Sequence, residues 1–179
     1  SGRTAWAAPP NDVTTFSHPI ELGDGRIFWL TDRGLLRLRE DGSFEKISVE
    51  VRLACDGADH DLPTLRPLAD GRTLVHAGGS LFTIDRNDRV VTIVKPSTCA
   101  ARLRDDRIVA TSDGSVIFLK DDTLHRTDAD GRTVAIAPEA ETGAIYSIKS
   151  YGADILVSAK EGLFHMRSGR NLVRVMPRD

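Results

Sequence analysis

Cysteine is scarce in this chain: two thiols in 179 residues, Cys55 and Cys99, with no Cys-x-x-Cys pair. Without that spacing, and with no histidine at ligand distance along the chain, a thiolate zinc site is excluded. Charge of one sign is also missing. Lys plus Arg number 24 against 26 for Asp plus Glu, a formal net charge of −2. That balance argues against non-specific nucleic-acid binding, which needs a concentrated basic surface. No apolar run approaches the length of a membrane span. No signal-peptide pattern opens the chain, which a mature secreted protein would have shed. Helical periodicity is absent, since no window keeps apolar residues at i, i+3, i+4 and i+7 over three turns. Catalytic motifs are lacking too: no Gly-x-Ser-x-Gly elbow, no Gly-x-Gly-x-x-Gly and no phosphate loop.

What the chain has instead is self-similarity. Asp24-Gly25, Asp70-Gly71, Asp113-Gly114 and Gly152-Ala153 open four windows free of insertions. The tenth residue after Gly25, Gly71, Gly114 and Ala153 is always leucine: Leu35, Leu81, Leu124 and Leu163. The twenty-second is always β-branched: Ile47, Ile93, Ile136 and Val175. The starts lie 46, 43 and 39 residues apart. A unit of this length points to a repeat architecture.

Each unit reads as four short strands and their turns. An apolar stretch precedes the opening glycine, and a β-rich run such as Ile27-Phe28-Trp29-Leu30 or Val116-Ile117-Phe118-Leu119 follows it. After a polar turn comes a second apolar run. A second turn carries Asp41-Gly42, Asn87-Asp88, Asp130-Gly131 or Ser168-Gly169 before the last strand. Asp-Gly and its relatives tolerate the positive φ that tight hairpins demand. A four-stranded antiparallel sheet cannot bury both faces alone, and radial stacking of such sheets is the β-propeller. The expected fold is therefore all-β, a β-propeller of four blade-like four-stranded units. Residues 1–12 form a tail or linker, or else a closing strand anchored by Trp6. Residues 13–179 form one domain, with blades near 13–50, 62–94, 107–137 and 144–176. The third unit has two registers. The preferred one places its first strand at 107–111, and the other makes that stretch the strand after the turn.

Four blades close as a ring, or form half of a ring completed by a second copy, or are an excerpt of a longer protein. Monomeric closure is the expectation, with a dimer of half-rings the other outcome. Cys55 and Cys99 lie 16 and 15 residues before the next opening glycine, both in connectors between blades. A disulfide between them is geometrically open if their Cα atoms come within about 7 Å, and it would imply an oxidising compartment. The alternative is two unrelated thiols.

Connectors and the loops between second and third strands share one rim of a propeller, and loops on a rigid scaffold carry function. The candidate binding residues are Arg52, Asp56, Asp59, His60 and Asp61 in one connector, and Arg102 and Arg104 in the next. The loops between strands add Asp32, Arg33, Lys120, Asp121, Lys160 and Glu161, and Tyr146 stands on a first strand. The run Asp56 to Asp61 offers three carboxylates and an imidazole to a hard cation such as Ca²⁺, but a solvated acidic loop explains it as well. No cofactor is expected. Trp29 reads as core, and the scattered histidines His18, His76, His125 and His165 as satisfied sheet residues.

The fourth unit, Ile145-Tyr146-Ser147-Ile148 through Gly162-Leu163-Phe164, resembles the repeat of two-component-regulator propellers, as does Thr31 to Leu36 in the first. The second unit departs from it with Gly79-Ser80-Leu81, and the third lacks the glycine before Leu124. The resemblance implies a propeller acting as a sensor input module outside the cytoplasm, periplasmic or secreted. The function expected is a non-enzymatic binding module for a protein or small ligand, in sensing or in neutralising a partner such as a toxin. The alternative is a metal-dependent hydrolase similar to gluconolactonase-type propellers, which hold their ion with acids and an asparagine. Here asparagine is limited to Asn11, Asn87 and Asn171.

Overall fold

A computed structural model describes residues 13, 16–48, 50, 63–77, 80–95, 103, 105–136, 142–152, 154–167 and 172–177. Among them there is no α-helix, only one 3-10 turn at Asp105–Arg107. Sixteen strands form four antiparallel sheets, each built from consecutive strands in sequence order. Blade 1 holds β1 Phe16–Glu21, β2 Ile27–Thr31, β3 Gly34–Leu38 and β4 Phe44–Ser48. Blade 2 holds β5 Thr64–Pro67, β6 Thr73–Ala77, β7 Ser80–Ile84 and β8 Val90–Val94. Blade 3 holds β9 Ile108–Ala110, β10 Val116–Lys120, β11 Thr123–Thr127 and β12 Thr133–Ala135. Blade 4 holds β13 Ile145–Tyr151, β14 Asp154–Ala159, β15 Gly162–Arg167 and β16 Leu172–Pro177. The fold class is the one expected, all-β with four propeller blades. The third unit adopts the preferred register, its first strand β9 pairing Val109 with Ile117.

One loop chemistry recurs in six of the hairpins. In Leu22–Arg26, Arg39–Ser43, Leu68–Arg72, Asp85–Arg89, Thr111–Ser115 and Asp128–Arg132 the first amide donates to the fifth carbonyl, and the fourth amide donates back to the first carbonyl. The fourth residue takes positive φ, from 62° at Asp88 to 87° at Gly131. An aspartate carboxylate caps each loop from within: Asp24, Asp41, Asp70 and Asp113 accept the amide two residues on, while Asp85 and Asp128 accept two amides each. This is the three-residue hairpin with a left-handed last residue, hence the Asp-Gly signature. Blade 4 departs, turning from Tyr151 to Asp154 over two residues.

The chain divides into two compact units, residues 1–65 with 73–102 and residues 66–72 with 103–179. Each has its own core. In the first, Phe28, Leu30 and Leu35 of blade 1 meet Val75, Phe82 and Ile84 of blade 2. In the second, Ile117, Leu119 and Leu124 of blade 3 meet Ile155, Val157, Phe164 and Met166 of blade 4. Strand alternation explains the assignment. Within each unit, residues three, five and ten places after the opening glycine of the first blade face the second, and those four and eleven places after it in the second blade face the first. Phe28, Phe82, Phe118 and Phe164 put one buried phenyl ring in each blade, each contributing about 1.5–3 kcal/mol. Trp29, expected as core, is instead half-buried, because its position faces away from blade 2; it meets Phe44 edge-on at 5.5 Å between ring centres.

Arginines from these hairpins clasp neighbouring blades within each unit. Arg26 binds Asp24 of its own loop, then reaches the Asp85 carbonyl and the Asp88 carboxylate in the outer turn of blade 2. Arg37 binds the other oxygen of Asp88. In the second unit Arg72 holds Asp70 and donates to the Gly114 carbonyl at 2.8 Å. Both Asp24 and Asp70 have carboxyls held below the usual range, chiefly by the hydrogen bond from the arginine two residues on. The Asp88 side chain is 16% exposed and serves two guanidiniums. Asp88→Ala leaves both without that partner and is expected to lower stability by on the order of 2–3 kcal/mol in urea unfolding. Glu45→Ala, which removes a surface ion pair with Arg39, should leave the midpoint nearly unmoved.

Candidate functional site

In each sheet the antiparallel order sends the loop between second and third strands to the edge opposite the Asp-Gly hairpins. Those loops are two residues long where they are described: Asp32-Arg33 between the paired Thr31 and Gly34, Asp121-Asp122 between Lys120 and Thr123, and Lys160-Glu161 between Ala159 and Gly162. The sequence candidates Asp32, Arg33, Asp121, Lys160 and Glu161 therefore stand at that one kind of edge, with Lys120 as the last residue of the strand before it in blade 3. Arg52, Asp56, Asp59, His60, Asp61, Arg102 and Arg104 lie outside the described residues, as do Cys55 and Cys99.

In blade 1, Thr31 is fully buried, and its hydroxyl donates to the Gly34 carbonyl at 2.7 Å while accepting the Arg33 amide at 3.1 Å. The loop is thus fixed from below. Asp32 and Arg33 project from it 3.6 Å apart, with the arginine 58% exposed. In blade 3, Asp121 and Asp122 both take positive φ, 49° and 58°. That is a type I′ turn, usually given to Asn-Gly. Both carboxylates are exposed beside the exposed Lys120.

The best-built part of this edge is in blade 4. The connector Thr142–Ala144 runs beside the Lys160-Glu161 loop. Lys160 donates its amide to the Ala144 carbonyl at 2.8 Å, and Glu161 donates to the Thr142 carbonyl at 3.1 Å. Thr142 is buried, at 7% exposure. Gly143 takes φ of 60°, and a β-carbon there would come within 3.1 Å of the Lys160 Cβ. Glycine is required twice over, by backbone sign and by contact. Two residues on, the β13–β14 ladder skips from the Ile145–Ala159 pair to Ser147–Ser158. The residue left out is Tyr146, 52% exposed. A bulge of this kind re-aims a side chain, and here it turns a phenol out of the sheet beside the latched loop. Connector and loop do share an edge in this blade, as the sequence argument required. The structure joins Tyr146, Lys160 and Glu161 there, and adds Thr142 and Gly143. The only sequence signal for those two was an isolated glycine just ahead of a strand.

His125 lies on β11, which leads out of the Asp121-Asp122 loop, stacked on its cross-strand partner Phe118 with ring centres 5.3 Å apart. Burial first, and then the Lys120 ammonium, holds its imidazole below the usual value against the opposing pull of Asp121. Among the described residues no group of three His, Cys, Asp or Glu side chains is placed to hold a metal ion. Asn87, one of the three asparagines, sits exposed in the outer turn of blade 2, at the opposite edge of its sheet.

No family model and no curated protein sequence matches the chain. Several solved structures are similar to it. Virginiamycin B lyase from Staphylococcus aureus has a TM-score of 0.49 at 11% identity, covering 96% of this chain and 59% of the lyase. PorZ, a surface component of the type-IX secretion system of Porphyromonas gingivalis, has 0.48 at 14%, covering 93% and 22%. The extracellular domain of the two component system BT4673 from B. thetaiotaomicron has 0.45 at 13%, covering 97% and 23%. The chain thus spans 59% of the lyase and under a quarter of the other two.

Two outcomes follow. Gly143→Ala is expected to lower stability by roughly 1–2 kcal/mol, since it forces a β-carbon into left-handed backbone, and to speed hydrogen exchange at the Lys160 and Glu161 amides. His125 has a folded-state value below its unfolded one, so its contribution is intact above about pH 6.5 and is lost as pH falls toward the lowered value. The drop in melting temperature between neutral and mildly acid pH should therefore shrink in His125→Phe.

Proposed function

We propose that the chain is a non-enzymatic binding module, with its ligand engaged by the edge that carries the loops between second and third strands. The observation supporting this most directly is the latch in blade 4. Two backbone hydrogen bonds and a close glycine contact hold a connector against the Lys160-Glu161 loop, beside a tyrosine released by a bulge. A surface built this way loses little entropy on binding, because it is ordered beforehand. Its groups are a phenol, an ammonium and a carboxylate, with Lys120 and Asp121 at the same edge of blade 3. That mixture suits a polar protein segment or a small zwitterionic ligand better than a polyanion.

In this reading the module works in the periplasm or outside the cell, in sensing or in neutralising a partner, and Cys55 and Cys99 are bonded. The site is read by affinity capture on the immobilised chain from a periplasmic extract, with mass spectrometry of what is retained. Tyr146→Ala and Lys160→Glu should each cut retention of the ligand at least tenfold with unchanged melting temperature. Arg39→Glu, at the opposite edge, should retain it fully. Equal retention by all three variants would remove the edge from consideration. Chelator-sensitive lactone hydrolysis by the purified chain would replace binding with the hydrolase alternative.

A further inference from the structure

Five of the six hairpins that share one loop pattern carry Asp-Gly at their third and fourth places: Asp24-Gly25, Asp41-Gly42, Asp70-Gly71, Asp113-Gly114 and Asp130-Gly131. An aspartate followed by glycine has a reaction of its own. Glycine has no β-carbon to shield its amide nitrogen, and that nitrogen can attack the neighbouring side-chain carboxyl. The five differ in how the carboxylate is held.

In four of them it is the cap. Asp24 accepts the Arg26 amide at 3.2 Å and its Nε at 2.9 Å. Asp41 accepts the Ser43 amide at 2.9 Å and its hydroxyl at 2.6 Å. Asp70 accepts the Arg72 amide at 3.1 Å and its guanidinium. Asp113 accepts the Ser115 amide at 3.0 Å, the Thr111 hydroxyl and the Arg126 guanidinium. Such bonds favour the ionised carboxylate, whereas the attack needs a protonated one that can release its hydroxyl as water. Hydrogen bonds from Arg26, Ser43 and Arg72 hold the Asp24, Asp41 and Asp70 carboxyls below the usual range. At Asp113 burial pushes the other way and is outweighed by the Thr111 and Ser115 bonds.

In the fifth hairpin the cap has moved. Asp128, at the first place, takes the Asp130 amide at 3.1 Å and the Arg132 amide at 2.9 Å. Asp130 is exposed, and among the described residues its carboxylate has no partner. The Asp85 hairpin is capped in the same way, but its third residue is Asn87, followed by Asp88 and not by glycine. The strand beyond Asp130 is also weakly held. β12 has three residues, all exposed, whereas β4 beyond Asp41 has five, four of them half-buried. The Gly131 amide donates to the Asp128 carbonyl, as its equivalents do in the other loops, so attack requires the loop to open. Local opening costs least where few apolar contacts hold the backbone.

We infer that Asp130-Gly131 is a site of spontaneous aspartate isomerisation. The Gly131 nitrogen bonds to the Asp130 Cγ, the amide proton and the carboxyl hydroxyl leave together as water, and a five-membered imide closes. Water then adds to one imide carbonyl, and the C–N bond at that carbon breaks. Opening at the side-chain carbonyl restores aspartate. Opening at the backbone carbonyl gives isoaspartate, with the chain routed through Cβ and Cγ. The water lost in the first step is regained in the second, and nothing is oxidised or reduced. The added backbone atom disrupts the Asp128–Arg132 pair and loosens β12. This hairpin stands at the edge of blade 3 opposite the Asp121-Asp122 loop, so the inference is independent of the ligand-binding reading.

The native chain is aged for weeks at neutral pH in heavy-oxygen water, digested with trypsin, and its peptides resolved by chromatography and electron-transfer fragmentation. Peptide 127–132 holds Asp130 and no other Asp-Gly. Isoaspartate carrying one heavy oxygen is expected there about tenfold faster than at Asp24, Asp41, Asp70 or Asp113. In guanidinium chloride the five should convert alike. Asp56-Gly57 lies outside the described residues and shares peptide 53–72 with Asp70, from which fragmentation separates it. Asp128→Leu, which copies the first place of the Asp24 and Asp70 hairpins, should pass the Arg132 amide to Asp130 and slow its conversion. Arg39→Asp should draw the Ser43 amide away from Asp41 and speed that site, and Arg39 is exposed, so this variant keeps the fold. Conversion at Asp130 no faster than at Asp41 would overturn the inference. The same ranking in guanidinium chloride would overturn it too, because neighbouring sequence and not the cap would then set the rate. Unchanged rates in both variants would remove the cap as the cause.

Discussion

Burial of apolar side chains between adjacent sheets is the constraint on which everything else rests. A four-stranded blade of five-residue strands has two faces and no interior of its own, so its only route to a dry core is a neighbour. Alternation along each strand sends Phe28 one way and Trp29 the other, and the cost of leaving either face wet falls on the whole array. This is why the tenth-place leucines recur when most other positions drift. Each sits on the third strand, and Leu35 and Leu124 lie in the cores their blades share with the next blade of the same unit.

The hairpins are a second layer of the same economy. Six of them use one hydrogen-bond pattern and one carboxylate cap, which leaves the side chain after the positive-φ residue free to leave the loop. In four of the six that side chain is an arginine, and in the first hairpins of blades 1 and 2 it spans to the neighbour: Arg26 to Asp88, Arg72 to the Gly114 carbonyl. The first hairpin of blade 3 has Ser115 at that place, and Arg126 from β11 binds Asp113 instead. The apolar contact sets which faces meet, and the guanidiniums set their register. A displaced blade would strand a partly buried charge, which costs more than a lost surface pair.

Much of this was readable beforehand. The Asp-Gly turns, the leucine period and the β-branched residues near each unit's end gave four strands per blade, and in blades 1 and 3 the turn chemistry marked the strand ends to within a residue or two. The edge that carries Asp32, Lys120 and Lys160 followed from antiparallel order alone. Other features were not readable, for physical reasons. Trp29 is half-buried because strand alternation points it away from blade 2, a property of its place in the sheet and not of the residue. Tyr146 leaves the ladder through a bulge that no turn residue announces. The latch at Thr142–Ala144 consists of backbone hydrogen bonds, to which side-chain patterns are blind. Only Gly143 hinted at it.

The two-residue loops of blades 1, 3 and 4 have a bearing on how this surface changes over evolutionary time. A hairpin with no spare length cannot accept an insertion without breaking the ladder on both sides, so those tips can vary only by exchanging one side chain for another. A segment that takes part in no ladder is under no such restriction. New specificity would therefore be acquired at these tips by exchange of side chains and elsewhere by added length, while the hairpin tips stay the same size and serve as fixed posts.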